Sequence, residues 1–127
     1  DVSKIYLVGY TPGPVDRFGK PQKGVVKASL GAEKSIPWEH HTTITSLIKK
    51  LKKDSFEIVS LEQSEKSIPY TKYTAKKCAL VLGNEVTGVS QKTLNSSDVI
   101  IEIPMNGEKE SLNVSVATGV ALFQLIQ

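Results

Sequence analysis

The sequence predicts an α/β domain with a mostly parallel sheet flanked by helices, and three features point there. Short apolar runs alternate with helical patterns or long crossovers, the order of elements that builds parallel sheets. One run, Cys78–Leu82, is almost wholly apolar, as expected of a central strand covered on both faces. Two later runs, Cys78–Leu82 and Val99–Ile103, end in polar, glycine-bearing loops, and parallel sheets bind ligands at the carboxyl ends of their strands.

Taken in order, Ile5–Val8 is a short apolar run closed by Gly9 and reads as the first strand. Residues 10–41 show little periodicity and carry Pro12, Pro14, Pro21 and Pro37, which predicts a long irregular connection. Thr42–Asp54 places Ile44, Leu47, Ile48 and Leu51 at helical spacing. Lys49, Lys50, Lys52 and Lys53 crowd its last turn, where positive charge suits the helix dipole; a nucleic-acid patch is the other reading. Phe56–Leu61 is a second strand, followed by a polar stretch over residues 62–77. Cys78–Leu82 is the third, Ser90–Asn95 a short helix, Val99–Ile103 the fourth strand and Leu112–Ile126 the closing helix. That helix is apolar or small around most of its circumference, so it is buried all round or covered by a partner.

The chain has 127 residues, enough for one domain with a core of its own, and the whole of 1–127 is read as such. With 39% hydrophobic and 23% charged residues it has the composition of a soluble globular chain. Cys78 is the only cysteine, which excludes an intrachain disulfide and reads as a small core residue. No apolar run reaches the ~20 residues of a membrane span and no signal peptide is legible, so the expected compartment is cytoplasmic. A net charge of +3 is compatible with a polyanionic partner. Arg17 is the only arginine, a sparse supply of the side chain best suited to bidentate phosphate contacts.

Several familiar sites are excluded. Gly19–Val26, GKPQKGVV, has the glycine spacing of a P-loop, but Val25 and Val26 stand where Lys and Ser/Thr must be. No G-x-G-x-x-G follows a strand, and His40 and His41 are adjacent, a poor arrangement for a metal clamp. No metal site is expected.

Two loops remain. VLGNEVTG, Val81–Gly88, is a buried strand running into a loop with glycines on either side of Asn84 and Glu85. Gly83 would let a flat ligand approach the backbone, and Glu85 would bring a carboxylate; a strand-to-helix turn with a solvated glutamate is the alternative. The second is the eight-residue polar insert between Pro104–Met105 and the apolar closing helix, too long for connection alone. Ser111 is a candidate N-cap over amides that favour a polar or anionic group, and Asn113 could both donate and accept.

LGNExxG followed by IPMxxxxxSLNVSVAxxxALF resembles the paired C-terminal motifs of the SpoU/TrmH branch of the SPOUT RNA methyltransferases. KIYLVGYTPGP, the Lys27–His41 stretch KASLGAEKSIPWEHH and EIVSLEQS are similar to the same family, so the resemblance covers essentially the whole chain. It implies an α/β fold with a C-terminal trefoil knot. It further implies S-adenosylmethionine as cofactor, methyl transfer to a ribose 2′-hydroxyl of tRNA or rRNA, and a homodimer with the cofactor near the subunit interface.

Carried over by residue, the resemblance implies cofactor contacts from Leu61 and Gly83 on one side. Ile103, Met105, Ser111 and Leu112 would meet it from the other, largely through backbone groups. Asn113 would help position ribose or cofactor, and Glu85 would organise the catalytic site. The family's arginine motif, roughly Asn-x-Gly-x-x-x-Arg, precedes the strand with which this chain begins, and Arg17 does not match it. The expectation is therefore a SPOUT domain lacking the usual first strand and helix, with a non-catalytic module that holds RNA or cofactor as the alternative function.

Overall fold

The computed structural model describes residues 2–29 and 34–127; Asp1 and residues 30–33, the latter inside the Lys27–His41 stretch, lie outside the described residues. The chain forms two compact units, Asp1–Leu47 and Ile48–Gln127.

In the first unit, β1 (Ile5–Val8) pairs in parallel with β2 (Trp38–His41), with Ile5 opposite Trp38 and Val8 opposite His41. Gly9 ends β1 at φ 63° and donates its N–H to the His41 carbonyl at 3.0 Å. The expected irregular connection over residues 10–41 therefore contains α1 (Lys23–Ser29) and the strand β2. Trp-Glu-His-His has no apolar alternation to announce a strand, and its pairing with β1, distant in sequence, supplies the order instead. Helix α2 (Ile44–Lys53) follows, its first four residues in this unit and the rest in the second, with Leu47, Ile48 and Leu51 buried and its lysines outward.

The second unit is built on β3 (Glu57–Leu61), β4 (Ile68–Pro69), β5 (Cys78–Leu82) and β6 (Val99–Glu102), all parallel in the order β4-β6-β3-β5. Helix α3 (Gln91–Ser96) connects β5 to β6, and α4 (Val114–Leu125) closes the chain. The α/β class and the parallel sheet are as the sequence predicts. The strand order corrects one expectation: β5 lies at an edge and pairs only with β3 among the described strands, while β3 and β6 are central. Continuous apolarity reported burial against neighbouring elements, since Cys78 and Leu80 pack on the Val59–Tyr73–Ile101 cluster and Val81 on the Val89–Leu94–Ile100 cluster.

Ile58, Val59 and Ile101 are wholly inaccessible, each contributing roughly 1.5–3 kcal/mol through burial. Buried Ser60 shares a 2.6 Å hydrogen bond with Ser97, so the hydroxyl carries no desolvation debt. The stretch 62–77 is more structured than its polarity suggests: it holds β4, a single 3-10 turn at Tyr70–Lys72 and buried Tyr73, whose hydroxyl donates to Glu57 at 2.5 Å.

Because the strands are parallel, Leu61, Pro69, Leu82 and Glu102 all finish at one edge of the sheet. The loops leaving them are thereby gathered in one place. No described helix is long and apolar enough to cross a membrane.

Candidate functional site

At that carboxyl edge the second unit has a cleft of about 550 Å³. Leu61, Gly83, Glu85, Ile103, Met105, Ser111, Leu112 and Asn113, the residues singled out from sequence, all line it. Three segments make the walls: the end of β3, the loop of residues 83–89 after β5, and residues 103–113 between β6 and α4.

The 83–89 loop is a closed hydrogen-bonded unit. Asn84 Oδ1 accepts from the N–H of Val86 at 2.9 Å, from the N–H of Thr87 at 2.7 Å and from the Thr87 hydroxyl at 3.1 Å. The Gly88 N–H returns to the Asn84 carbonyl at 3.1 Å. Asn84 is thus a structural residue of the loop, folding its polar side chain inward as asparagine does in tight turns. Glu85 stands at the tip, exposed, with no hydrogen bond or ion pair among the described residues.

The glycines have a packing reason within the protein itself. A Cβ on Gly83 would run into the backbone of Gly88 and Val89, so the missing side chain serves closure of the loop on itself. Gly88, at φ 66°, faces the Glu62 carboxylate where its own Cβ would be. Glu62 and Gln63 also line the cleft, and sequence reasoning passed over both. Glu62 Oε2 accepts the Val89 N–H at 3.0 Å, and Gln63 Nε2 donates to the Glu110 carbonyl at 2.7 Å. The available signal was their place immediately after a predicted strand, at the edge where parallel sheets bind ligands.

The 103–113 segment ends in a helix cap, and here another expectation is corrected. The N-cap of α4 is Asn113, whose Oδ1 accepts from the Ser115 N–H at 2.9 Å and from the Ser115 hydroxyl at 2.8 Å. Ser111 lies two residues before that cap, and the helix begins at Val114. Asparagine wins the cap because its carboxamide oxygen reaches the first turn's orphan amides from the residue just before them. Among the described residues its Nδ2 has no hydrogen-bond partner, and Asn113 lines the cleft.

The walls combine apolar side chains (Leu61, Leu82, Ile103, Met105, Leu112) with carboxylates at Glu62, Glu85 and Glu102 and one lysine, Lys109. Such a lining suits a flat, partly apolar ligand carrying positive charge. Among the described residues no group of His, Cys, Asp and Glu has the makings of a metal site. Cys78 is no reactive thiol: burial, then the nearby Glu57 carboxylate, push its pKa up and keep it protonated at neutral pH. In the first unit, Glu39 pairs with Lys4 and accepts from His41 Nε2 at 3.0 Å, while His40 Nε2 lies 2.7 Å from the Gly9 carbonyl. Both histidines thus face separate local partners.

Residues 7–123 match the SpoU rRNA Methylase family. The chain is 39% identical over 114 residues to a 23S rRNA (guanosine-2'-O-)-methyltransferase, RlmB, from Xylella fastidiosa, covering 90% of this chain and 46% of that protein. It spans about half the length of the curated relatives it matches. Among solved structures, an AdoMet-bound rRNA methyltransferase from Sinorhizobium meliloti superposes with TM-score 0.81 at 26% identity, over 96% of this chain and 44% of that one. A TrmH/SpoU tRNA modifying enzyme from A. aeolicus gives 0.75 at 32% identity, over 94% and 59%. With its family match running almost end to end and its paired loops meeting at one cleft, the chain belongs to the SpoU rRNA methylase family.

Proposed function

We propose that the protein transfers a methyl group from S-adenosylmethionine to a ribose 2′-hydroxyl of tRNA or rRNA, acting in the cytoplasm. The observation that carries this reading is the convergence of the two family loops, residues 83–89 and 103–113, on one cleft at the carboxyl edge of a parallel sheet. Its volume falls within the roughly 300–1,000 Å³ of small-molecule sites. The residues fit the cofactor: Leu61, Ile103, Met105 and Leu112 offer apolar walls to a nucleobase, and Glu85 and Glu102 supply a negative field for a sulfonium. When bound, that group supplies an activated methyl on a positively charged sulfur.

The protein's own part is to orient a weak nucleophile. Asn113 Nδ2, held by the cap that occupies its oxygen, would donate to ribose or cofactor, and the unpaired Glu85 carboxylate would organise the hydroxyl and its proton. The second unit contains no arginine, since Arg17 is the only one in the chain. That absence favours a second reading, a module that binds cofactor or RNA without turnover.

Two measurements separate the readings. Calorimetry with S-adenosylhomocysteine should give saturable binding, and tritium transfer from labelled cofactor should be tested on tRNA and rRNA. Binding with transfer supports the enzyme, binding without it the module, and no binding overturns the enzyme and a module that holds cofactor.

The same reading includes a homodimer and the family's trefoil knot. Helix α4 and its C-cap expose Val116 at 53%, Phe123 at 70% and Ile126 at 50%, and a side chain at Gly119 would meet open space, as befits a face covered by a second copy. A stable monomer by light scattering at micromolar concentration would exclude the dimer. The tie from Gln63 to Glu110 keeps residues 103–113 beside the end of β3, as a threaded segment requires; an experimental structure traced without threading would exclude the knot.

A further inference from the structure

Two consecutive residues leaving β3 hold opposite walls of the cleft. Glu62 takes the Val89 N–H on Oε2 at 3.0 Å and the Gln63 N–H on Oε1 at 2.9 Å. Gln63 sends its Nε2 to the Glu110 carbonyl at 2.7 Å, a partner in the other loop. The pair is itself anchored to the sheet, because the Glu62 N–H donates to the Ile101 carbonyl at 3.0 Å. Both loops are therefore referenced to one rigid point on the two central strands.

The glycine spacing of the 83–89 loop belongs to the same device. Gly83 packs on the backbone of Gly88 and Val89, and Gly88 packs on the Glu62 carboxylate, each contact closer than a Cβ would permit. Three layers stack without side chains between them, which lets the carboxylate reach the Val89 amide. A charged acceptor makes a stronger hydrogen bond than a neutral one, and this one closes a loop rather than merely decorating it.

We propose that Glu62 and Gln63 form a clamp that sets the spacing of the two loops and so positions S-adenosylmethionine between them. Both are positioning residues, and the inference rests on the cofactor reading above. Nothing in it requires either side chain to touch the reacting atoms. The physical claim is that loops held apart by a fixed distance present a preorganised slot, whereas released loops must be ordered by the ligand at the expense of affinity.

The test uses the full chain with Glu62→Ala, Glu62→Gln and Gln63→Ala, read by amide hydrogen exchange without ligand and by calorimetry with S-adenosylhomocysteine. Glu62→Ala should speed exchange at Val89 by about tenfold or more while leaving β3, β5 and β6 protected, and should weaken the ligand by about tenfold to a hundredfold. Glu62→Gln keeps one oxygen for the Val89 N–H and should recover part of both effects, a rescue that general destabilisation would not produce. Gln63→Ala should loosen residues 104–111 and leave Val89 protected. Unchanged Val89 exchange in Glu62→Ala overturns the latch; released Val89 with unchanged affinity overturns its role in positioning. A wild type that binds no S-adenosylhomocysteine overturns the cofactor reading and with it the positioning role, while the ligand-free exchange still decides whether the clamp exists.

Discussion

The two walls of the cleft are built on different principles. Residues 83–89 form a loop whose shape is written into its own hydrogen bonds, with Asn84 satisfying the turn from within and glycines packed against their neighbours. Residues 104–111 make one hydrogen bond among the described residues, the contact from Gln63 to Glu110, and take their path from the fixed ends of β6 and α4. One wall is rigid by local chemistry, the other by where it is tethered.

The largest break in this contrast should come from Gly83→Val. The new side chain cannot share space with the Gly88 backbone, so the loop must open, at about 3 kcal/mol or more, and S-adenosylhomocysteine binding should vanish in calorimetry. Urea denaturation reads the stability loss; a full-strength binder with unaltered midpoint would show that the 83–89 loop is not rigid by packing.

Next in size is Tyr73→Phe, a control at the opposite end of β3. It removes a hydroxyl bonded to Glu57 and should cost about 1–2 kcal/mol without changing ligand affinity. Burial first, then the Glu57 hydrogen bond, raise the Tyr73 pKa above its ordinary 10.0. Its proton is therefore held more tightly in the folded protein than in the unfolded chain. That contribution is fully present below pH 10 and is lost as pH rises through the folded pKa, so wild type and Tyr73→Phe should converge in stability under strong alkali. Convergence below pH 9 would contradict the assignment.

Asn113→Ala should cost about 1 kcal/mol through the lost cap of α4, seen as a lower thermal midpoint, because among the described residues no other side chain reaches the Ser115 amide. If transfer activity is present, it should fall by ~10²-fold or more with the loss of Nδ2. An activity drop with no stability change would mean that the cap is made by another residue.

The smallest effect sharpens the comparison from the tethered side. Gly107 has no positive φ and open space where a Cβ would stand, so Gly107→Ala should change stability by within about 0.5 kcal/mol and leave the ligand affinity intact. The same residue type is indispensable in one wall and replaceable in the other. Affinity lost in Gly107→Ala would show that the tethered wall needs backbone freedom at its tip.

The sequence by itself determined the α/β class, seven of the helices and strands near their observed limits, and the two strand-end loops. Apolar periodicity and punctuation by Gly, Pro and Asn are local properties, and the IPM and SLNVSVA stretches carry a family pattern through their order alone. Trp38–His41 was invisible because its partner β1 lies thirty-odd residues away and pairing, not composition, makes it a strand. The edge position of β5 was illegible for the same reason: an apolar run reports that a strand is covered and says nothing of how many neighbours it has. Local spacing favoured Ser111 as the cap of α4, and only the path of the chain into the helix gave that place to Asn113. Glu62 and Gln63 acquired their meaning last, since a carboxylate is a latch only when a glycine leaves room for it and an amide faces it. Both conditions join segments far apart in the chain, and such relations exist only once the parallel strands have brought their carboxyl ends to a common edge.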